Sequence, residues 1–146
     1  MQTLFSKDSM GAVYSNIKLT NAIDEGMVSR GVLAPKHLRQ HEETALVDTG
    51  AVHLVISEQI AQKLGLRILD RQGVEFADGR KETVGVTEAI VVECEGRRTI
   101  EDALVVGNGV LIGQVVLEKL DLWVDCREQK LIPNPAHPDY PVSYIL

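Results

Sequence analysis

Ala45-Leu46-Val47-Asp48-Thr49-Gly50-Ala51 reads as a short apolar strand that runs directly into an acid, a hydroxyl and a residue without a side chain. The tip of a buried strand is a poor place for a carboxylate, because desolvating an ion is costly. The order acid, hydroxyl, glycine suits hydrolysis of a peptide bond by two carboxylates and a water. One carboxylate takes a proton from the water, and the other, protonated, hydrogen-bonds the scissile carbonyl. Two carboxyl groups roughly 3 Å apart share one proton rather than both ionise. On this reading Asp48 is the acid–base group, Thr49 fixes the loop by bonding to its counterpart, and Gly50 keeps the backbone open to a substrate strand.

Outward from this segment the chain reads mainly as strands. Upstream, Val13, Ile17 and Leu19 alternate with Tyr14, Asn16 and Lys18, the period of a half-buried strand. Residues 21–43, rich in charge and glycine, read as a long surface connection with an extended piece at Met27–Leu33. Downstream, Leu54-Val55-Ile56 is again apolar, and Ser57 is placed to cap a helix over about 58–64 with Gly65 closing it. Between Val74 and Val86 the parity decides the turn. A three-residue loop, Ala77-Asp78-Gly79, pairs Phe76 with Arg80 and Val74 with Glu82, and puts the valines on the face of Phe76. Its third residue must be left-handed, which Gly79 supplies. Ala89–Cys94 and Asp102–Val106 follow as strands around a turn at Glu95-Gly96-Arg97. Gly107-Asn108-Gly109 precedes Val110-Leu111-Ile112-Gly113, a second helix is expected at Gln114–Leu120, and Leu122–Val124 with Leu131-Ile132 form a last hairpin. The tail over 136–146 is proline-rich.

The segment Leu46 to Ala51, the helix behind it and the later Leu111-Ile112-Gly113 together resemble the retropepsin-like aspartic proteases, the single-domain relatives of pepsin from retroviruses and bacteria. The resemblance runs from about Val13 to Pro135. It implies an all-β acid-protease fold, a closed barrel with one or two short helices, as one domain over 1–146 with a core at about 13–135. It implies an aspartic endopeptidase with catalytic Asp48, Thr49 and Gly50. The hairpin from Val74 to Val86 becomes a flap over the bound peptide. Substrate contacts are then expected from Ala51, from the flap tip Ala77, Asp78, Gly79 and Arg80, and from Ile112 and Gly113. The flap departs from the family's glycine-rich tips, having one glycine among charges.

Arithmetic sets the partner. The mechanism needs two carboxylates and the chain has one Asp-Thr-Gly; Asp70, Asp78, Asp121, Asp125 and Asp139 lack the Thr/Ser-Gly that must follow. A two-fold homodimer with Asp48 meeting its own mate on the axis is therefore expected. A non-catalytic dimeric module holding extended peptides in the same groove is the alternative.

Composition narrows the field. At 146 residues, 45% hydrophobic and 25% charged, the chain suits one soluble domain. A net charge of −6 disfavours nucleic acid, which needs clustered Lys and Arg. No apolar run approaches the ~20 residues of a membrane span. The start, MQTLFSKDSMGAVYSN, has no basic end followed by an apolar stretch, so no secretory leader is expected. Cys94 and Cys126 read as buried reduced thiols of a cytoplasmic protein. No metal or cofactor is expected: His37 and His41 read as a solvated loop, and His53 as a packing residue. Trp123 is assigned to core or dimer interface, and the charges from Arg39 to Glu43 to a solvated face.

Overall fold

The computed structural model describes residues 11–146. The expectation of no leader falls largely on residues 1–10, outside the described residues. Eleven strands and three short helices follow in order: β1 (Val13–Asn21), α1 (Ala22–Ser29), β2 (Gln40–Val47), β3 (Leu54–Ile56), α2 (Glu58–Lys63), β4 (Ile68–Glu75), β5 (Lys81–Thr87), β6 (Ile90–Cys94), β7 (Arg97–Glu101), β8 (Ala103–Val105), β9 (Val110–Ile112), α3 (Gln114–Leu120), β10 (Leu122–Asp125) and β11 (Lys130–Pro133). A single 3-10 turn, Pro35–His37, precedes β2. No helix among the described residues is long and apolar enough to cross a membrane.

Nine strands form one sheet in the order β4-β5-β8-β3-β9-β2-β1-β6-β7, and β10 with β11 forms a separate hairpin. The sheet is not a closed barrel: β4 and β7 are its two free edges. Composition explains why closure fails. β4 carries Asp70, Arg71, Gln72 and Glu75 and is exposed along almost its whole length, so it offers little apolar surface to bury against another edge.

Side-chain alternation divides the apolar residues into two clusters. Ala45, Leu54, Ile56, Ala103, Val110 and Ile112 point to one face, where Ile60 and Ala61 of α2, Leu64 at its C-cap, and Val116, Leu117 and Leu120 of α3 cover them. Their neighbours in sequence, Leu46, Val55, Leu104 and Leu111, point to the other face and meet Val84, with Val74 and Val86 packed against them. That is the period of two expected of strands buried on both sides.

Local signals place α2 where the sequence puts it. The Ser57 hydroxyl accepts from the Ile60 N–H at 3.2 Å. At the other end Gly65, at φ +62°, donates to Gln62 O at 2.9 Å while Leu66 donates to Ala61 O at 3.0 Å. That double bond is a Schellman closure.

Residues 21–43 are not the surface connection expected. Asn21 ends β1 and at once caps α1, its side-chain oxygen accepting from the Asp24 N–H at 3.0 Å, while its amide donates to Leu64 O at 2.9 Å. Met27 to Leu33 is the helix end and a turn, not an extended piece, and β2 begins at Gln40. His41 accordingly lies in a strand rather than a loop, its ring between Glu43 (2.7 Å) and Lys63 (2.8 Å).

Asp24 is buried at 4% exposure and takes three hydrogen bonds from Arg39: from N–H at 3.2 Å, Nε at 2.8 Å and Nη2 at 2.9 Å. The Arg39 hydrogen bonds outweigh burial and hold the Asp24 carboxyl below its ordinary range. A carboxyl lowered on folding adds stability above its unfolded pKa, near pH 4, and loses it as pH falls further. Asp24→Ala should therefore cost about 2 kcal/mol at pH 7. The gap to the parent should shrink below pH 4, as thermal melts over pH 3–7 would show.

Two smaller expectations differ from the structure. Cys94 is buried, which pushes its thiol pKa up, but Cys126 is exposed because it falls in the turn between β10 and β11. Trp123 is not core: it is 53% exposed, opposite Ile132 on that hairpin, which stands outside the main sheet. The tail from 134 has no regular structure but is anchored at Asp121, the left-handed C-cap of α3 (φ 53°). Asn134 Nδ2 and the Val142 N–H each donate to the Asp121 carboxylate at 3.1 Å, and His137 Nδ1 lies 2.6 Å from it. Asn134 first, then His137 and Val142, hold that carboxyl below its ordinary range. Buried Arg97 donates to the carbonyls of Leu120, Asp121 and His137, closing the knot. Beyond it Tyr144, Ile145 and Leu146 are exposed.

Candidate active site

The segment around Asp48 is built by two neighbouring strands that run the same way. β2 and β9 pair in parallel, Leu46 with Leu111 and Val47 with Ile112, so both strands release their loops at one end of the sheet. The Asp48 N–H donates to Ile112 O at 3.0 Å and extends the ladder by one residue. Leu46 and Leu111 face the smaller apolar cluster, and the alternation carries two residues on to Asp48 and Gly113. The carboxylate therefore opens on the side that the β4–β5 hairpin covers.

Asp48 Oδ1 accepts from the Gly50 N–H at 3.0 Å, and Asp48 O accepts from the Ala51 N–H at 3.1 Å. The loop thus turns back on itself around the acid. Asp48 stays half-buried while Thr49 and Gly50 are exposed. Among the described residues no other group donates to the Asp48 carboxylate.

Gly113 and Gln114 hold this loop. A Cβ on Gly113 would stand 2.3 Å from His53 O and 2.8 Å from Ala51 O, so only glycine allows the two backbones this close. Gln114 donates its backbone N–H to Ala51 O at 2.8 Å and its side-chain amide to Thr49 O at 2.7 Å. Val115 N–H donates to Val52 O at 3.0 Å. Gln114 was not singled out by sequence; its only signal is its place directly after Leu111-Ile112-Gly113.

The structure therefore brings Asp48, Thr49, Gly50, Ala51, Ile112 and Gly113 together, but the Ile112 side chain is 0% exposed and packs in the helix-covered core, so it supports the loop from behind and is not the substrate contact expected. The structure does not bring Ala77, Asp78, Gly79 and Arg80 into contact with them within one chain; these four stand exposed at the free end of the β4–β5 hairpin. That hairpin has the register read from its parity. Val74 pairs with Glu82, Phe76 N–H donates to Arg80 O at 2.8 Å, and Gly79 is left-handed at φ +86°. His53 is half-buried, and its Nε2 lies 3.4 Å from Gln72 Nε2 on β4, a contact between the segment after Ala51 and the flap strand that sequence did not indicate.

Comparison with known proteins agrees with this geometry. The family model described as gag-polyprotein putative aspartyl protease matches residues 37–119. No match was found among curated proteins. The matched stretch is more than half of the 146 residues and holds the Asp48 loop, the flap hairpin, the Gly113 contact and almost all of α3. The chain belongs to the retroviral-type aspartyl protease family.

Proposed function

We propose that the protein is an aspartic endopeptidase that works as a homodimer, cutting extended or unfolded polypeptide with one Asp48 from each subunit. The observation that carries this reading is the state of Asp48 in one chain. It is half-buried at the end of two parallel strands, on a loop clamped by Ile112, Gly113 and Gln114, and among the described residues its carboxylate receives a single hydrogen bond, from Gly50. Half of a two-carboxylate centre is thus preorganised, and the exposure of Thr49 and Gly50 leaves that end of the sheet free for a second copy.

In the dimer the two Asp48 carboxyls share one proton. The ionised one takes a proton from a water, which attacks the scissile carbonyl; the protonated one donates to that carbonyl oxygen as negative charge builds on it. The Val74–Val86 hairpin lies over the peptide and shields the reaction from bulk water.

The experiment is hydrolysis of an unstructured protein over pH 3–8. One shared proton on a coupled pair predicts a bell-shaped kcat/KM with its maximum on the acid side of neutrality. A rate that only rises with pH contradicts the shared-proton centre.

A further inference from the structure

Building on the peptidase reading, we infer that Arg80 makes the flap selective for substrates with an Asp or Glu side chain beneath it. The register fixes which way Arg80 points. Val74 pairs with Glu82, and the Phe76 N–H to Arg80 O bond continues that ladder, so Gln72, Val74 and Phe76 share a face with Arg80, Glu82 and Val84. Val74 and Val84 pack into the smaller apolar cluster, on the side where Asp48 opens. Arg80 and Phe76 therefore occupy that same face at the flap's free end.

The Arg80 guanidinium carbon lies 4.3 Å from the centre of the Phe76 ring. Stacking of this kind holds a cation in place and leaves the N–H edges of its plane free. No carboxylate of the described residues forms an ion pair with it. Asp78 is engaged by the Arg80 backbone N–H at 2.9 Å, and Glu82, next along the same face, is out of ion-pair reach. The flap's own ion pair, Lys81 with Glu75 at 3.6 Å, uses residues of the opposite parity. A preorganised, unpaired guanidinium facing the peptide is a two-pronged donor for a carboxylate.

The global field works the other way. The chain carries −6, so without a local device the dimer favours basic peptides. A preference for acidic ones is for that reason a specific signature of Arg80.

The probes are dodecapeptides of Val, Leu and Ser in which one Glu, Gln or Lys is moved through the central positions, used at pH 6 where Glu is ionised. The parent should cleave the best Glu peptide about tenfold better than its Gln counterpart in kcat/KM at low salt, with the gap narrowing as salt rises. Arg80→Ala should erase that gap, and Arg80→Glu should turn the preference to Lys. Equal rates on Glu and Gln peptides at every position, or an Arg80→Ala loss that is the same on both, overturns the assignment. If the parent cleaves none of the set, the peptidase reading is what fails. Anisotropy of the same labelled peptides on the Asp48→Asn protein then decides Arg80 alone: tighter binding of Glu than Gln peptides supports it, equal binding overturns it.

Discussion

Asp48→Asn should lower peptide hydrolysis by at least about 10³-fold while leaving the melting temperature and the oligomeric state close to those of the parent. The substitution is unusually clean here. Among the described residues the Asp48 side chain has one structural duty, accepting the Gly50 N–H at 3.0 Å, and an asparagine carbonyl oxygen takes the same bond. The acid–base function is lost, because an amide neither takes a proton from water nor donates one at any accessible pH. A positioned general acid or base contributes about 10²–10⁴-fold, and in the dimer both are removed at once. A module that only held peptides would bind them equally well in both proteins and cleave with neither. Hydrolysis and peptide binding, measured side by side on parent and variant, separate the two readings.

Gly113→Ala should be as damaging to activity as it is small in chemistry. The new methyl would meet the carbonyl oxygen of His53 at 2.3 Å and that of Ala51 at 2.8 Å, and these are backbone atoms. No rotamer change relieves such a contact. The Ala51–His53 segment must move, yet it is tied by Gln114 N–H to Ala51 O and Val115 N–H to Val52 O. Either α3 shifts or the Asp48 loop does. Overpacking of this kind costs about 1–3 kcal/mol, and a misplacement of about 1 Å at a reacting group costs about 10² in rate. The expected result is a stability loss of that size together with at least about 100-fold lower kcat. Gln114→Ala, which deletes only the amide donating to Thr49 O, should lower kcat by a smaller factor with little change in stability. Chemical denaturation and initial rates on the two variants check both statements.

What the sequence disclosed, and what it did not, follows from the range of the forces involved. The Ser57 cap, the Gly65 closure and the three-residue loop at Gly79 are decided by residues within a few positions of one another, and each stands as read. The Asp48 loop and the Leu111-Ile112-Gly113 strand were legible because both motifs keep their residues in order, and the parallel pairing of β2 with β9 brings them together. α1 was missed because its signal is not local. Asn21 is both the last residue of a strand and a helix cap, and the buried Asp24 in its first turn makes sense only with Arg39, fifteen residues on. The open sheet was missed because closure depends on whether two distant edges have apolar surface to share, and β4 has almost none. The anchoring of the tail combines Arg97, Asp121, Asn134, His137 and Val142, a set that no spacing rule assembles.

A catalytic centre made from two chains responds to subunit mixing in a way that a centre within one chain does not. The parent and Asp48→Asn proteins would be combined at fixed total concentration, unfolded and refolded together so that chains pair at random, and the rate compared with the fraction of parent chains. If a centre needs Asp48 from both subunits, the rate falls as the square of that fraction, to about a quarter at equal mixing. A rate that falls in simple proportion, to one half, would mean that each chain carries a complete centre of its own and would contradict a centre shared between two subunits.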